Sequence, residues 1–269
     1  MNILGAIIGD ICGSVYEWKN DTNPDNIELF KEGCRPTDDS VLTCAVMDWL
    51  RSTNTARSDK EKEVLIKKLR EYAQEFPYAG YGGMFRKWIT QDNDEPIGSF
   101  GNGSAMRVSA CGFIAKSIED AMDLAEKSAM VTHNHPEGVK GAQATAVAIF
   151  RARKGVMKSD IVSEIEEVFG YDLHTPLAER PKHKFDATCQ VTVPEAIRAF
   201  VEGDNFEDVI IKAISIGGDS DTIAAIAGGI AGAYYGIPSY IIESALEILP
   251  AKLFNAVSDF EDYCLAKLK

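Results

Sequence analysis

Two short acidic segments of the sequence have side chains that could bind metal ions. The first reads TDD at residues 37–39, and the second reads DSDT at residues 219–222. Each lies at the start of a strongly apolar stretch with helical spacing. Acids in the first turn of a helix are common, because they complement the helix dipole by about 0.3–1 kcal/mol. Each segment taken alone is therefore typical of an ordinary helix start.

The two segments together favour a metal site, because both combine two aspartates with a threonine. Their carboxylates and Glu17 would repel if brought together, since each pair at about 4 Å costs about 4 kcal/mol at an effective dielectric of 20. Either the segments lie apart on the surface, or cations hold them together. All donors are oxygens, which suits two Mg²⁺ or Mn²⁺ ions sharing one aspartate. The candidate metal ligands are Thr37, Asp38, Asp39, Asp219, Asp221 and Thr222.

Two apolar helices with a small residue at every fourth position must hold these acids. Gly5, Gly9 and Gly13 share one face of the first, and Glu17 follows at the same spacing. Residues 224–236 repeat the pattern in the second. Glycine costs about 0.8–1 kcal/mol relative to alanine inside a helix, so a compensating contact is required. For the glycines alone, we expect tight helix packing rather than ligand contact.

Helical periodicity dominates the chain, whereas the alternation typical of strands is scarce. We expect an all-α, compact single-domain globule of about a dozen helices over residues 1–269. One irregular segment, residues 170–193, is interpreted either as a lid or as a packed crossover. The predicted helices are 2–18, 38–51, 59–75, 83–90, 105–116, 119–131, 137–153, 158–168, 194–203, 206–215, 221–235, 239–248 and 252–267.

The composition and charge of the chain disfavour a nucleic-acid-binding, membrane-spanning or disulfide-rich protein. Acids outnumber bases 41 to 28, and the net charge of −13 disfavours a nucleic-acid partner while suiting cation binding. Asp10 interrupts the apolar N-terminal stretch well short of the about 20 residues of a membrane span. The six scattered cysteines indicate neither a disulfide framework nor a thiolate zinc site. We expect a cytoplasmic monomer without membrane partners.

Glycine-rich turns that lead into helices could bind phosphate groups through backbone N–H groups. One reads GYGGMF at residues 80–85, and another reads SFGNGSAMR at residues 99–107. A glycine turn alone is weak evidence, because most are caps or loops. His133 and His135 could form half of a zinc site, but no second pair has suitable spacing. We expect His135 to be an ordinary loop histidine.

Five ordered motifs resemble the ADP-ribosylglycohydrolase family, which includes the dinitrogenase-reductase-activating glycohydrolase. They read GAIIGDICGSVYE, PTDDSVLT, SFGNGSAMRVS, SAMVTHNHPEGVKGAQA and GGDSDTIAAIAGGIAGAYYG, within about residues 1–240. The resemblance implies a compact all-α fold with two Mg²⁺ or Mn²⁺ ions on the TDD and DxDT segments. The implied reaction is hydrolysis of the bond between C1 of the distal ribose of ADP-ribose and an acceptor such as arginine, serine or a small molecule.

The resemblance also implies roles for individual residues. Glycoside hydrolysis passes through an oxocarbenium-like state, which one carboxylate stabilises while another delivers water. The family's functional glutamate falls on Glu17, which we expect to be the acid/base or cation-stabilising group, with Asp38 or Asp39 bridging metal and water. The candidate catalytic residues are thus Glu17, Asp38 and Asp39.

The family's GNGxAMR segment lines the ADP-ribose pocket. The resemblance places an aromatic nucleotide contact at Phe100 and puts His133 near the distal ribose, whereas Arg107 is expected to face a structural carboxylate. The candidate substrate-binding residues are Gly82, Gly83, Ser99, Phe100, Gly101, Asn102, Gly103 and His133.

Alternative functions follow from the same resemblance. Some family members lack the metal ligands and serve as binding or structural proteins, although the intact acids of this chain argue against that reading. Another alternative is hydrolysis of a different ADP-ribose conjugate, such as O-acetyl-ADP-ribose. The expected partner is an ADP-ribosylated protein or a small-molecule conjugate, with the acceptor specificity assigned to residues 170–193 and 18–35.

Overall fold

The computed structural model describes residues 2–56, 60–180 and 185–268. Across these ranges the chain forms thirteen α-helices and no β-strand, which confirms the predicted all-α fold. The helices are α1 (Gly5–Gly13), α2 (Asp38–Ser52), α3 (Glu61–Glu75), α4 (Gly83–Thr90), α5 (Ser109–Ile114), α6 (Ile118–Met130), α7 (Pro136–Arg153), α8 (Lys158–Phe169), α9 (Cys189–Glu202), α10 (Phe206–Ser215), α11 (Ser220–Tyr235), α12 (Ser239–Ile248) and α13 (Ala251–Lys267).

Helices α1 and α11 form the centre of the molecule and make its most extensive helix contact. Every residue of α1 is buried, as are residues 220–232 of α11. A methyl group added at Gly9 would overlap the carbonyl oxygen of Ala224, so the two backbones touch directly. The missing side chain therefore permits a separation that no other residue allows, which confirms that the glycine spacing reflects helix packing.

The close approach continues to the end of α1. A Cβ at Gly13 would lie 2.5 Å from the Cα of Asp221. The C-terminal end of α1 and the N-terminal end of α11 are thus held against each other. Around this pair, α11 also packs on α7, α9 and α10, while α1 packs on α2. One continuous apolar core includes residues from Ile3 to Phe260.

The first helix is shorter than predicted. Instead of continuing through residue 18, α1 ends at Gly13. The Ser14 hydroxyl donates to the carbonyl of Ile11 at 2.8 Å, and the Asn20 amide donates to the carbonyl of Tyr16 at 2.6 Å. These hydrogen bonds form a turn in place of further helix, so the prediction that Glu17 continues the glycine face was wrong.

Two other predicted boundaries also need correction. Helix α9 begins at Cys189 rather than at residue 194, and Pro194 lies inside it. The start is fixed by a tertiary hydrogen bond from the Cys189 N–H to the carbonyl of Phe100, 3.0 Å long, which no local pattern reveals. Helix α5 covers Ser109–Ile114 instead of 105–116, because Asn102–Ser104 form a separate 3-10 turn.

Some predictions fall on residues outside the described ranges. They concern residue 59 at the start of one predicted helix and residues 181–184, including His183, in the irregular segment. The assignment of residues 1–269 to a single domain stays a prediction. None of the helices in the described ranges is long and apolar enough to cross a membrane.

We predict that Gly9→Ala lowers the free energy of unfolding by about 2 kcal/mol or more. Overpacking costs about 1–3 kcal/mol and more where backbone must move, which exceeds the about 1 kcal/mol that alanine gains in a helix. Chemical denaturation measures the change. Gly83→Ala in α4 is the control, because no atom lies within 4 Å of its added Cβ. Equal stability of Gly9→Ala and the parent protein would contradict the packing argument.

Candidate functional site

The carboxylate of Asp10 joins the end of α1 to the start of α2. It accepts hydrogen bonds from the N–H and hydroxyl of Thr37 at 2.8 and 2.6 Å, and from the N–H of Ser40 at 3.0 Å. The Ser40 hydroxyl also donates to it. An acceptor at this end of α2 satisfies N–H groups that have no partner within the helix. The TDD segment is therefore held over the end of α1 by a fully buried carboxyl group.

A glycine turn places the second acidic segment beside the first. Gly217 and Gly218 have φ angles of +81° and +74°, which favour glycine, and Asp219 follows directly. The Asn20 side chain accepts from the N–H of Gly218 at 2.9 Å and donates to the carbonyl of Glu17 at 3.1 Å. One amide thus ties the Glu17 turn to the start of α11.

The carboxylates gather into two overlapping groups. Oxygens of Asp10, Asp39 and Asp221 lie within 4.8 Å of one another, as do oxygens of Glu17, Asp219 and Asp221. Asp221 belongs to both groups. The Thr222 hydroxyl donates to Asp39 Oδ2 at 3.2 Å, which joins α11 to α2 directly. The structure therefore brings the two predicted segments and Glu17 together.

Burial and mutual repulsion disfavour charge on these groups. Burial, then the neighbouring charge of Asp10, raises the pKa of Asp38 to about 8. Burial, then Asp219, raises the pKa of Glu17 to about 7. The pKa of Asp39 and that of Asp221 also lie well above the usual range, chiefly because both side chains are buried. Protein donors alone thus leave these acids poorly compensated.

The donor set fits a hard divalent cation. Asp39 Oδ1 is buried and has no hydrogen-bond partner in the ranges that the structure describes. Such an atom is costly unless a cation or another donor satisfies it. The surrounding atoms are carboxylate and hydroxyl oxygens, the ligands that Mg²⁺ prefers. Asp10 differs from the other acids because four protein donors already occupy it.

A cavity of 380 Å³ opens from this cluster. Its size is in the range of small-molecule sites. Thr37 lies behind its wall, bonded to Asp10. The other predicted site residues line it: Glu17, Asp38, Asp39, Gly82, Gly83, Ser99, Phe100, Gly101, Asn102, Gly103, His133, Asp219, Asp221 and Thr222.

The loop around Asn102 links the cavity wall to the acids. Its side-chain amide donates to Asp219 Oδ2 at 2.6 Å and to the Thr192 hydroxyl at 2.9 Å. Its backbone N–H donates to the carbonyl of Ala187 at 2.8 Å. Asn102 lines the cavity where a substrate contact was predicted, and its side-chain amide also positions an acid. Sequence reasoning had no signal for this, since the partner is more than a hundred residues away.

The end of the irregular segment forms another wall. Phe185, Ala187 and Thr188 line the cavity, and Thr188 pairs with Gly101 in an isolated β-bridge. Phe185 stacks on Trp18 with ring centroids 5.1 Å apart. Both rings are largely exposed, 47% and 75% respectively. Residues 185–188 are thus attached to the glycine loop, and an aromatic pair stands beside Glu17.

Among residues 2–56, 60–180 and 185–268, Arg107 makes no hydrogen bond or ion pair with a carboxylate, so the expected carboxylate partner is not found there. It is fully buried, and its guanidinium donates to the carbonyl of Ser128 at 2.5 Å and to the Thr132 hydroxyl at 3.0 Å. His133 is buried beside it and lines the cavity. His135 accepts from the N–H of Glu137 at the start of α7, as expected of an ordinary loop histidine.

Two residues of the site, Asp10 and Asn20, were not predicted from the sequence. Asp10 was noted only as an interruption of the apolar stretch, yet a single acid within a helix that is otherwise apolar was a usable signal. No sequence motif or spacing pointed to Asn20. Its contacts depend on the meeting of the Glu17 turn and residues 217–218.

Comparison with known proteins identifies several ADP-ribosylhydrolases that are similar in sequence to this chain. ADP-ribosylhydrolase ARH3 of Gallus gallus is 27% identical over 313 aligned positions, covering 87% of this chain and 84% of the relative. The ARH3 of Homo sapiens is also 27% identical, with the same coverage. ADP-ribosylarginine hydrolase Tri1 of Pseudomonas putida is 27% identical over 58% of this chain and 44% of its own.

A solved structure has a similar fold, and a family model matches almost the whole sequence. A solved structure described as an ADP-ribosylglycohydrolase-related protein complex aligns with a TM-score of 0.67 and 23% identity, covering 99% of this chain and 95% of that chain. This likeness supports the fold. The family model for ADP-ribosylglycohydrolase matches residues 2–266. The chain therefore belongs to the ADP-ribosylglycohydrolase family.

Proposed function

We propose that this protein is a metal-dependent hydrolase that cleaves the glycosidic bond between ADP-ribose and an acceptor, reversing mono-ADP-ribosylation. The observation that carries the proposal is the convergence of Glu17, Asp39, Asp219 and Asp221 at one end of a cavity. Burying several carboxyl groups close together lowers the stability of a fold. Clusters of this kind occur mainly at functional sites. Glycine-rich turns and an aromatic ring line the rest of the cavity, as a nucleotide requires.

Two Mg²⁺ or Mn²⁺ ions are the proposed cofactors. Asp221 belongs to both carboxylate groups and is the side chain best placed to be shared between two ions. Asp39 and the hydroxyl groups of Thr37 and Thr222 would complete one site, with Asp38 at the cavity wall. Glu17 and Asp219 belong to the other group. The bound ions would supply Lewis-acid chemistry and orient the ribose hydroxyls.

Glu17 is the proposed acid/base or cation-stabilising carboxylate. It is only half-buried and lies at the cavity, whereas the other acids of its group are buried. Without metal, burial and then Asp219 raise its pKa to about 7, which places its proton exchange near neutral pH in the metal-free protein. As a carboxylate it could stabilise the positive charge that develops on the ribose, and as an acid it could protonate the departing acceptor.

The acceptor end of the substrate would lie beside the Trp18–Phe185 pair. Trp18 follows Glu17 in the chain, and Phe185 lines the cavity. The proposed acceptors are an arginine or serine side chain or a small molecule, and the name of Tri1 refers to arginine. The relatives share only about a quarter of their residues with this chain, so both side-chain linkages belong in any assay.

The direct test offers the purified protein arginine-linked and serine-linked ADP-ribosylated proteins, with Mg²⁺ or with chelator. We predict release of free ADP-ribose from at least one linkage only when metal is present. Glu17→Gln should lower the rate at least about 100-fold, the usual contribution of a positioned acid/base group. Glu126→Gln on α6 is the control, because Glu126 is exposed and bonded to Gln143 away from the cavity.

Other outcomes separate the alternatives. Binding of ADP-ribose without hydrolysis of either linkage would favour a binding module, whereas hydrolysis of O-acetyl-ADP-ribose alone would place the activity on a small conjugate. Release at the same rate in chelator would contradict metal dependence.

Metal binding should also depend on pH in a defined direction. The acids whose folded pKa exceeds the unfolded value of about 4 bind more protons in the folded state, so stability in chelator should fall between about pH 5 and pH 8. Metal binds the deprotonated groups. We therefore predict that Mg²⁺ raises the melting temperature more at about pH 8 than at about pH 6, measured by scanning calorimetry.

Asp39→Asn is the matched variant for this prediction. It replaces a buried carboxyl group, whose pKa lies well above the usual range because of burial, with a neutral amide that keeps a carbonyl oxygen at the same place. In chelator at about pH 8 it should melt at a higher temperature than the parent protein and gain less from Mg²⁺. Equal stabilisation of both proteins by Mg²⁺ would exclude Asp39 as a ligand.

A further inference from the structure

A buried arginine contributes to the cavity wall beside His133. Arg107 donates from Nη2 to the carbonyl of Ser128 and to the Thr132 hydroxyl, and from Nε to the Ser128 hydroxyl at 3.4 Å. No carboxylate accepts from it in the described part of the chain. A guanidinium has donors but no acceptor and stays charged in proteins. The Thr132 oxygen must therefore act as the acceptor in this contact.

That constraint sets the direction of the next hydrogen bond. The Thr132 hydroxyl lies 2.7 Å from Nδ1 of His133 and is fully buried. These two contacts are the only side-chain hydrogen bonds of Thr132 within the described ranges. If Nδ1 carried the proton, the threonine hydrogen would lack an acceptor in a buried place, which is costly. The favourable arrangement has Thr132 donating to Nδ1.

The imidazole is neutral in this setting. Burial, and then the charge of Arg107, lowers the pKa of His133 well below its usual value. A neutral ring carries one proton, and an acceptor at Nδ1 requires that proton to be on Nε2. Arg107 and Thr132 together thus select one tautomer of His133.

The protonated nitrogen faces the glycine turn of the cavity. A Cβ at Gly103 would lie 3.0 Å from Nε2 of His133, and one at Gly101 would lie 3.8 Å from it. The missing side chains leave this nitrogen open toward the cavity that all three residues line. Nε2 has no hydrogen-bond partner among the residues that the structure describes.

We propose that Arg107 and Thr132 are positioning residues that hold His133 as a neutral Nε2–H donor, aimed at an oxygen of the bound ligand between Gly101 and Gly103. The ligand oxygen belongs either to the diphosphate or to the distal ribose of ADP-ribose. This inference rests on the proposed function for the identity of the ligand. The tautomer itself is a property of the free protein.

The first measurement is the tautomer of His133 in the free protein. Nitrogen NMR of the labelled protein distinguishes a protonated from an unprotonated ring nitrogen, and the signal is assigned by its loss in His133→Gln. We expect Nε2 protonated and Nδ1 unprotonated near neutral pH, and the Nδ1–H form should become populated in Thr132→Val. Finding Nδ1 protonated in the parent protein would overturn the proposal.

The second measurement is ligand affinity by calorimetry. Thr132→Val should weaken ADP-ribose binding about fivefold to tenfold, the effect of one misdirected hydrogen bond, and Thr132→Ser should restore it. Thr145→Val is the control, since Thr145 is about equally buried but its hydroxyl has no hydrogen-bond partner in the part of the chain that the structure describes. Unchanged affinity in Thr132→Val, or equal losses in both valine variants, would contradict the positioning role.

ADP serves as the second probe, because it has the diphosphate but lacks the distal ribose. An equal loss for ADP and ADP-ribose in Thr132→Val places the donor on the diphosphate, and a loss for ADP-ribose alone places it on the distal ribose. Either result supports the proposal. Failure of the proposed function is distinguishable, because a parent protein that does not bind ADP-ribose would refute that function while the NMR result still decides the tautomer.

Discussion

The direct backbone contact between α1 and α11 is the constraint on which the site depends. Glycine at residues 9 and 13 allows the helices to touch, and this contact sets Asp10 and Asp221 at the same end of the pair. A side chain at either glycine would move one acid group away from the other. Metal-site geometry tolerates errors of only a few tenths of an ångström. The apolar centre of the fold and the polar site are thus consequences of one packing contact.

The acids gathered there fall into two classes by their protein partners. Asp10 and Asp219 accept from neighbouring donors, Thr37 and Ser40 in one case and Asn102 in the other. Asp39 retains a buried oxygen without any partner in the described ranges. Buried charge is tolerated when it is paired or coordinated. Protein hydrogen bonds thus fix the frame of the cluster, and the remaining oxygens could bind cations.

The cavity wall around His133 differs from the acid cluster in its charges. Arg107 provides a buried positive charge that no carboxylate of the described residues pairs with, and Thr132 connects it to the ring of His133. A neutral donor near glycine turns suits an anionic or hydroxyl-bearing ligand without adding another charge to desolvate. At the mouth, Trp18 and Phe185 link the Glu17 turn to the end of the irregular segment. The proposed metal, nucleotide and acceptor contacts therefore lie on separate parts of the chain.

The sequence alone determined the all-α class, most helices, the meaning of the glycine spacing and the oxygen-donor segments, because periodicity and residue type are local properties. Only the tertiary structure decided where α1 ends, why α9 starts at Cys189, and that Asn102 positions Asp219. It also revealed Asp10 as the acceptor that holds α2. These features arise from hydrogen bonds between residues far apart in the chain, and local patterns carry no information about such partners.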